Sequence, residues 1–450
     1  MVVAVLRVVI TVLGLNNPSD ALPDKTPDDA GMSANRLAVV DRVVTRGISA
    51  GGYPGAAVVV GRKGGIVLQR GFGHMEWGSS STSVSASRTL YDLASLTKVV
   101  GTTAAMMALY DDGRIQLGQR VVDYLPEFSG GLNDLITIEH LLTHRAGLPA
   151  GRDIWKIATS PSEARTAVLS TRAHDVPGRT YVYSDIGADI LGYLVEAVAQ
   201  QPLDVYLHNR VFGPLRMHNT FFRPADSLRY RIAPTAEFSS RGSPLRGVVH
   251  DINAYAQGGV SGHAGLFSTA SDVAIFAQMM LNRGEYSGVQ VFKPATVERF
   301  TMRTAGRRAL GWDTAEGDFG SGKYLTSRSY GHTGFTGTSI WIDPDRDMFM
   351  ILLTNRVHGP RARRPVRVIS DIRADLSDAA VLAVTDAPEG LRDMPKKFRA
   401  DRAIGWNTKP KPKKKKVVTK KRSTKKSVAK KPTAKKRPAK NASASRGSRG

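Results

Sequence analysis

Short apolar runs near both ends of the chain have the composition of β-strands. Residues 56–60 and 66–70 are separated by a glycine-containing turn, which predicts a pair of strands. Residues 338–342 and 348–353 flank the turn Asp343-Pro344-Asp345-Arg346 and predict a hairpin. Strands at both ends of a domain with helices between them predict one antiparallel sheet that is assembled from both ends.

Helical spacing of apolar residues dominates the middle of the chain. Residues 34–44 have this spacing, and so do residues 185–199, where Ile190 and Leu194 are predicted core positions. Another helix is predicted to begin near Ser271. The helix predicted to start at about residue 95 is apolar nearly all round, which is typical of a central helix. A largely helical region is therefore predicted between the two parts of the sheet.

The two ends of the chain differ in composition from the part between them. Residues 1–15 are almost wholly apolar, and the small residues Ser19 and Ala21 fit a signal peptide over residues 1–21. This predicts a periplasmic or secreted protein, and a mis-assigned start or a buried first strand in a cytoplasmic protein is the alternative. Residues 396–450 are rich in lysine and poor in apolar residues, which predicts a disordered tail. Residues 22–395 then form one domain.

Most of the positive charge belongs to the tail. Residues 409–450 contain 19 Lys and Arg and no Asp or Glu, and subtracting these from the net charge of +25 leaves +6 for residues 1–408. Such a tail attracts polyanions without reading a nucleic-acid sequence, and a solvated tail without a dedicated partner is the alternative. The chain has no cysteine, which excludes disulfides, a cysteine nucleophile and thiolate metal sites. No metal-ligand spacing is present, so neither a metal nor another cofactor is expected.

Candidate chemistry starts with Ser95 and Lys98, which lie three residues apart at the start of the central helix. On a helix both side chains project from one face, so the amine can assist removal of the hydroxyl proton. The pattern alone is weak, because the tail matches it at Ser423 and again at Ser427.

Two further segments have chemistry that can serve this serine. Tyr183-Ser184-Asp185 lies at the start of the helix predicted for residues 185–199, after a proline-glycine turn. His332-Thr333-Gly334 precedes the hairpin near the end of the domain, where glycine lets a ligand approach the backbone. Two other histidines, His144 and His263, are interpreted as structural or cleft-lining residues.

These three segments, in this order, resemble the motifs of the serine beta-lactamase and penicillin-binding-protein superfamily. The chain is most similar to the class C beta-lactamase-related serine hydrolases, over about residues 25–385. This resemblance implies an α/β (α+β) fold in which helices flank an antiparallel sheet. The similarity also includes three longer segments, at residues 141–149, 262–270 and 331–338.

The resemblance implies a mechanism through an acyl-enzyme. Ser95 attacks a carbonyl carbon, and water later releases the acyl group. Lys98, positively charged beside Tyr183, favours the phenolate form of the tyrosine, which acts as general base. By the same resemblance, the backbone N–H groups of Ser95 and Phe335 hold the oxyanion.

Two departures from the family pattern point away from antibiotic hydrolysis. Asp185 stands where beta-lactamases of this class usually have asparagine, and His332 stands where they usually have lysine. Together with Thr333 and Gly334, these residues are predicted to bind the substrate or to support the catalytic residues. Both changes weaken recognition of an anionic beta-lactam, because histidine is largely neutral at pH 7.

The predicted function is a serine hydrolase, either an esterase or a D-Ala-type peptidase. Its substrate would be a small ester or amide, or a peptidoglycan-like peptide. The alternatives are a beta-lactamase proper and a catalytically silent peptidoglycan-binding protein with a polyanion-binding tail. The sequence does not indicate the oligomeric state.

Overall fold

A six-stranded antiparallel sheet joins the two ends of the domain. The strands of the protein are β1 Gly55–Arg62, β2 Gly65–Gly73, β3 Tyr91–Asp92, β4 Phe221–Phe222, β5 Leu266–Ser268, β6 Glu285–Tyr286, β7 Val289–Gln290, β8 Asp313–Thr314, β9 Tyr330–Thr333, β10 Ser339–Asp343 and β11 Met348–Thr354. The large sheet has the order β2-β1-β11-β10-β9-β8. β1 pairs with β11, with Val58 opposite Leu352, so the N-terminal and C-terminal hairpins lie side by side. The predicted sheet from both ends is confirmed.

The computed structural model describes residues 21–78, 80–315, 320–387 and 390–408, which belong to one compact unit. The signal peptide predicted for residues 1–21 lies outside the described residues except for Ala21, and so does the tail from residue 409 onward. In the described ranges, no helix combines the length and the apolar character that crossing a membrane requires.

Helices cover both faces of this sheet. They are α1 Ala34–Leu37, α2 Val39–Ser49, α3 Ala104–Asp111, α4 Ile138–Leu142, α5 Pro161–Leu169, α6 Asp185–Ala199, α7 Leu203–Leu207, α8 Ile252–Ala256, α9 Ala270–Leu281, α10 Pro294–Thr301, α11 Pro365–Leu382 and α12 Arg399–Arg402. The helices predicted for residues 34–44 and 185–199 and near Ser271 are present as α1 with α2, as α6 and as α9.

The strand β1 is buried along its whole length because a core lies on each side of it. Ala57 and Val59 join the large core that contains the central helix. Val58 and Val60 face the other way and join a second core together with α2 and α11. Strands that are covered on both faces form continuous apolar runs instead of alternating ones, as this segment of the sequence does.

The predicted tail begins too early at residue 396, because residues 396–408 pack on the domain. Phe398 and Trp406 are buried in the second core. The indole N–H of Trp406 donates to Asp371 Oδ2 at 2.7 Å, and Arg399 forms ion pairs with acidic residues of α11. Two buried aromatic side chains and these polar contacts hold a segment whose overall composition is not that of a core.

Candidate active site

Ser95 lies at the start of an irregular helix. A 3-10 turn, Ala94–Leu96, leads into π-helical turns, Thr97–Thr103, and then into α3. Ala94 has a φ of 47°, a left-handed conformation that costs an L-residue roughly 1–2 kcal/mol. The carboxylate of Asp92 accepts the N–H of Ala94 at 2.8 Å and thereby holds this strained backbone in place. Strain of this kind is found at functional sites.

Lys98 is buried and uses all three donors of its ammonium group. Its Nζ lies 3.1 Å from Ser95 Oγ, 3.1 Å from the carbonyl oxygen of His263 and 2.7 Å from Asp185 Oδ1. Burial by itself lowers the pKa of Lys98, but Tyr183 and Asp185 outweigh it and raise that pKa above its ordinary value. Lys98 is therefore a cation that donates to the serine and has no lone pair with which to accept its proton.

Tyr183 is half-buried beside Lys98, between two histidine rings. Its ring centroid lies 5.0 Å from Lys98 Nζ, 4.6 Å from the His144 ring and 5.9 Å from the His332 ring. The neighbouring N–H of Ser184 donates to His144 Nδ1 at 3.1 Å. His144, which was interpreted as structural or cleft-lining, thus packs directly against the candidate base.

Asp185 reaches Lys98 from the first turn of α6. Ser184 caps this helix, because its Oγ accepts the N–H of Gly187 at 3.1 Å. Burial raises the pKa of Asp185, but the positive charges of Lys98 and His263 lower it below its ordinary value overall. Asp185 is therefore an anion at neutral pH, and the predicted charge beside Lys98 is present.

His332 is a buried, neutral residue of β9. Its Nδ1 contacts the carbonyl oxygen of Thr333 at 2.9 Å. Burial lowers the pKa of His332 to about 4; the carboxylate of Asp313 opposes this shift, and the cations Arg308 and Lys98 reinforce it. The imidazole therefore does not supply a positive charge at pH 7. The sequence predicted this difference from the lysine that beta-lactamases of this class usually have at the position.

The turn after β9 is fastened to the backbone that precedes Ser95. Thr336 Oγ1 donates to the carbonyl oxygen of Asp92 at 2.8 Å, and Thr338 Oγ1 donates to that of Leu93 at 2.9 Å. On the other side, Arg373 donates to the carbonyl oxygens of Gly334 and Thr338 at 2.6 and 2.8 Å. These contacts hold the turn that contains Phe335 against the backbone that leads into Ser95.

The N–H groups of Ser95 and Phe335 are free donors. Within the described part of the chain, neither has a hydrogen-bond acceptor. Phe335 is 61% exposed, and its ring still packs against the His250 ring at 5.9 Å and the Arg356 guanidinium at 4.7 Å. Two unpaired N–H groups on neighbouring segments are the chemistry that an oxyanion requires.

The charged state of His263, which the sequence did not indicate, adds a second buried cation near Lys98. His263 lies between two carboxylates, with Nδ1 2.7 Å from Asp189 Oδ1 and Nε2 3.0 Å from Asp251 Oδ1. Burial lowers the pKa of His263, but the two carboxylates outweigh it and raise that pKa well above its ordinary value. Its carbonyl oxygen is one of the three acceptors of Lys98. Within the described residues, no group of three or more His, Asp or Glu, this one included, is arranged to hold a metal ion.

Comparison with known proteins identifies the family of the chain. The family model described as Beta-lactamase matches residues 40–374. The chain belongs to the beta-lactamase family. It is a serine hydrolase of that family, and the resemblance read from its motifs is confirmed.

Curated relatives of this family member resemble it along most of its length. A protein of Escherichia coli K12 with the provisional name D-alanyl-D-alanine carboxypeptidase is 33% identical over 380 residues, which are 76% of this chain and 87% of the relative. An N-acetylmuramyl-L-alanine amidase of Bacillus subtilis 168 is 34% identical over 371 residues, or 74% and 84% of the two chains.

Solved structures show the same fold. A penicillin-binding-protein homologue from Caulobacter crescentus superposes with a TM-score of 0.62 at 22% identity, covering 78% of this chain and 99% of the other. EstCE1, a hydrolase with promiscuous acyltransferase activity, also has a TM-score of 0.62, at 21% identity and with 76% and 99% coverage. The predicted beta-lactamase-like fold is therefore confirmed.

Proposed function

We propose that this serine hydrolase cleaves D-alanyl-type peptides and simple esters through an acyl-enzyme on Ser95. The observation that supports this most directly is the environment of Lys98. Its ammonium group holds Ser95 Oγ at 3.1 Å while Asp185 and the His263 carbonyl occupy its other two donors. The serine is thereby oriented and polarised before a substrate arrives.

Tyr183 is the proposed general base, because Lys98 is already protonated. In the first step Ser95 Oγ bonds to the carbonyl carbon of the substrate, and its proton passes to the Tyr183 phenolate. As the tetrahedral intermediate collapses, the bond to the leaving amine or alkoxide breaks and that group takes the proton from Tyr183. Water then repeats the sequence on the acyl-enzyme, which releases the acid and regenerates Ser95.

The free N–H groups of Ser95 and Phe335 are the proposed oxyanion donors. In the first step the carbonyl oxygen of the substrate becomes negative, and two donors fixed by the surrounding turn stabilise it without rearranging. One such donor is typically worth about 3–4 kcal/mol in the transition state. Thr333 and Gly334 are proposed to line the same edge of the cleft.

The proposed substrate class rests on the relatives and on the charges of the cleft. The names of the two curated relatives describe hydrolysis at a D-alanyl-D-alanine bond and at an N-acetylmuramyl-L-alanine bond, and each of these is an amide bond next to alanine. Asp185 is anionic and His332 is neutral, so these two positions disfavour a small anionic beta-lactam. The names of the relatives therefore carry the assignment to a peptidase, and an acyl-enzyme on Ser95 can also be formed from an ester.

We further propose a location outside the cytoplasm, where peptides of the cell wall are accessible. The predicted signal peptide over residues 1–21 and the names of the relatives support this location. The basic residues 409–450 are proposed to contact polyanions at the cell surface without sequence specificity.

The test is a set of rates measured side by side on the purified protein. The substrates are p-nitrophenyl acetate, a chromogenic cephalosporin and a peptide that ends in D-Ala-D-Ala. We expect turnover of the ester and release of D-alanine from the peptide, both abolished by Ser95→Ala. A cephalosporin rate above the other two would instead make the protein a beta-lactamase, and no turnover of any substrate would favour the silent binding protein.

A further inference from the structure

His144 holds the backbone on both sides of Tyr183. The N–H of Val182 donates to the carbonyl oxygen of His144 at 2.9 Å. The N–H of Ser184 donates to the Nδ1 atom of the same histidine at 3.1 Å. One residue therefore binds the position before the tyrosine with its backbone and the position after it with its side chain.

The imidazole of His144 also packs against the ring of Tyr183. The two ring centroids are 4.6 Å apart, and His144 is only 6% exposed. Burial lowers the pKa of His144 well below its ordinary value, and the cations Arg308 and Lys98 act in the same direction. The imidazole is therefore neutral, and its Nδ1 keeps the lone pair that accepts the N–H of Ser184.

The backbone of His144 has a conformation that glycine adopts more readily. Its φ is 56°, in the left-handed region, where the side chain of an L-residue crowds the following carbonyl oxygen. A glycine could therefore make the backbone contact with Val182 as well as the histidine does. It could supply neither the Nδ1 acceptor nor the ring, so the side chain is the part of His144 that serves Tyr183.

We propose that His144 is a positioning residue, whose side chain holds the phenol of Tyr183 in the orientation from which it accepts the Ser95 proton. This inference rests on the proposed role of Tyr183 as general base. A general base must lie within hydrogen-bond reach of the proton that it removes, and a misplacement of 1 Å can cost about 100-fold in rate. Loss of the His144 side chain should therefore slow the acylation of Ser95.

The experiment is a double-mutant cycle that combines the histidine with the tyrosine. The value of kcat/KM for p-nitrophenyl acetate is measured for the wild type, His144→Gly, Tyr183→Phe and the double variant. We expect His144→Gly to lower it about 100-fold when Tyr183 is present. In the Tyr183→Phe background the loss should be less than about threefold, because the phenyl ring has no hydroxyl to position.

Two results of this cycle would overturn the inference. An unchanged kcat/KM in His144→Gly would show that Tyr183 is oriented without the histidine. Equal losses in the two backgrounds would show that His144 has only a structural role. Urea unfolding reports whether each variant is folded.

Two further variants separate the Nδ1 contact from a general effect of removing an imidazole. His144→Asn suits the left-handed backbone and keeps a side-chain acceptor, so it should recover kcat/KM to within about tenfold of the wild type. His140→Ala is the matched control, because His140 Nδ1 also accepts a backbone N–H, that of Thr137 at 3.2 Å, in the cap of α4. This control should keep the wild-type value. If His144→Asn were no more active than His144→Gly, the role of the Nδ1 contact would be overturned.

A spectroscopic measurement separates failure of this inference from failure of the proposed function. If the wild type does not hydrolyse the ester, the proposed function fails, and the rotation of the Tyr183 ring about its Cβ–Cγ bond is then measured by NMR relaxation. The protein carries ¹³C in its tyrosine rings, and the Tyr183 signal is assigned by its loss in Tyr183→Phe. We expect the ring to rotate at least about tenfold faster in His144→Gly than in the wild type and His140→Ala, because the packing partner is gone. Equal rates in folded His144→Gly and wild type would overturn the positioning role.

Discussion

Gly334 is the position at which one added carbon should disable the oxyanion donor of Phe335. A Cβ atom built on Gly334 would stand 2.5 Å from the carbonyl oxygen of Leu93 and would also overlap Thr338 Oγ1. These two atoms form the hydrogen bond between Thr338 Oγ1 and the Leu93 carbonyl oxygen, which joins the turn to the backbone before Ser95. The Gly334→Ala variant must therefore move the turn away from the serine.

The size of this movement follows from the contact distances. Ordinary van der Waals contact begins at 3.4 Å, so the turn must retreat by about 0.9 Å from Leu93. The Thr338–Leu93 hydrogen bond, now 2.9 Å long, would lengthen to about 3.8 Å and break. Moving one oxyanion donor out of place typically costs about 3–4 kcal/mol, so kcat should fall ~10²–10³-fold.

The assay is hydrolysis of p-nitrophenyl acetate by wild type, Gly334→Ala and the control Gly187→Ala. A Cβ atom at Gly187 has no neighbour closer than 3.6 Å, although this residue lies only two positions from Asp185. Gly187→Ala should therefore retain wild-type kcat, and urea unfolding reports whether each variant is folded. If folded Gly334→Ala retained kcat within threefold, the Phe335 N–H would not be an oxyanion donor.

Three further predictions concern ionisable residues of the site. Lys98→Ala removes the cation beside the serine, so kcat/KM for p-nitrophenyl acetate should fall ~10²–10⁴-fold; a loss below tenfold would contradict its role. The pKa of His332 is about 4 in the folded protein, whereas that of a histidine in an unfolded chain is 6.5. As the pH falls from 6.5 to 4, the unfolded chain therefore binds a proton at this residue before the folded protein does, and the free energy of unfolding decreases. Between these pH values, the free energy of unfolding measured in urea should decrease by about 3 kcal/mol less in His332→Gln than in the wild type. Equal decreases in the two proteins would refute the buried neutral state of His332. The substitution Asp251→Asn keeps a side chain that can cap α8 but removes one of the two carboxylates that contact His263. The free energy of unfolding should therefore fall by ~1–3 kcal/mol, and an unchanged value would argue against the ion pair.

The elements that the sequence predicted are those with uninterrupted local signals. β1 and β11 are continuous apolar runs, and α6 begins at Asp185, as predicted. The candidate residues Ser95, Lys98 and Tyr183 were found from ordered motifs, and the fold brings them together. Their positions follow from short segments that each have a recognisable pattern.

The helix α11 was missed because its buried side chains are not all apolar. Asp371, Asp375 and Asp378 are buried on this helix. Arg399 of the C-terminal segment forms ion pairs with Asp375 and Asp378, whereas Asp371 pairs with Arg367 of the helix itself and accepts the indole N–H of Trp406. Because these buried positions are charged, the core-facing side of the helix has no apolar periodicity in the sequence. For the same reason, the packing of residues 396–408 on the helix was not predicted. Only the folded chain shows that such carboxylates have partners.

The supporting charges of the site were also not predictable from local patterns. Asp189 and His263 are 74 residues apart, and neither belongs to a catalytic motif. Long-range contacts of this kind leave no periodicity in the sequence.

The central claim is that Ser95 is the nucleophile, and covalent labelling tests it most directly. The intact protein is treated with a fluorophosphonate probe, and the modified peptide is identified by mass spectrometry. We predict one label per chain, on Ser95, with no labelling of Ser95→Ala and slow labelling of Lys98→Ala. Equal labelling of wild type and Ser95→Ala, or a label on another residue, would contradict the proposed acyl-enzyme.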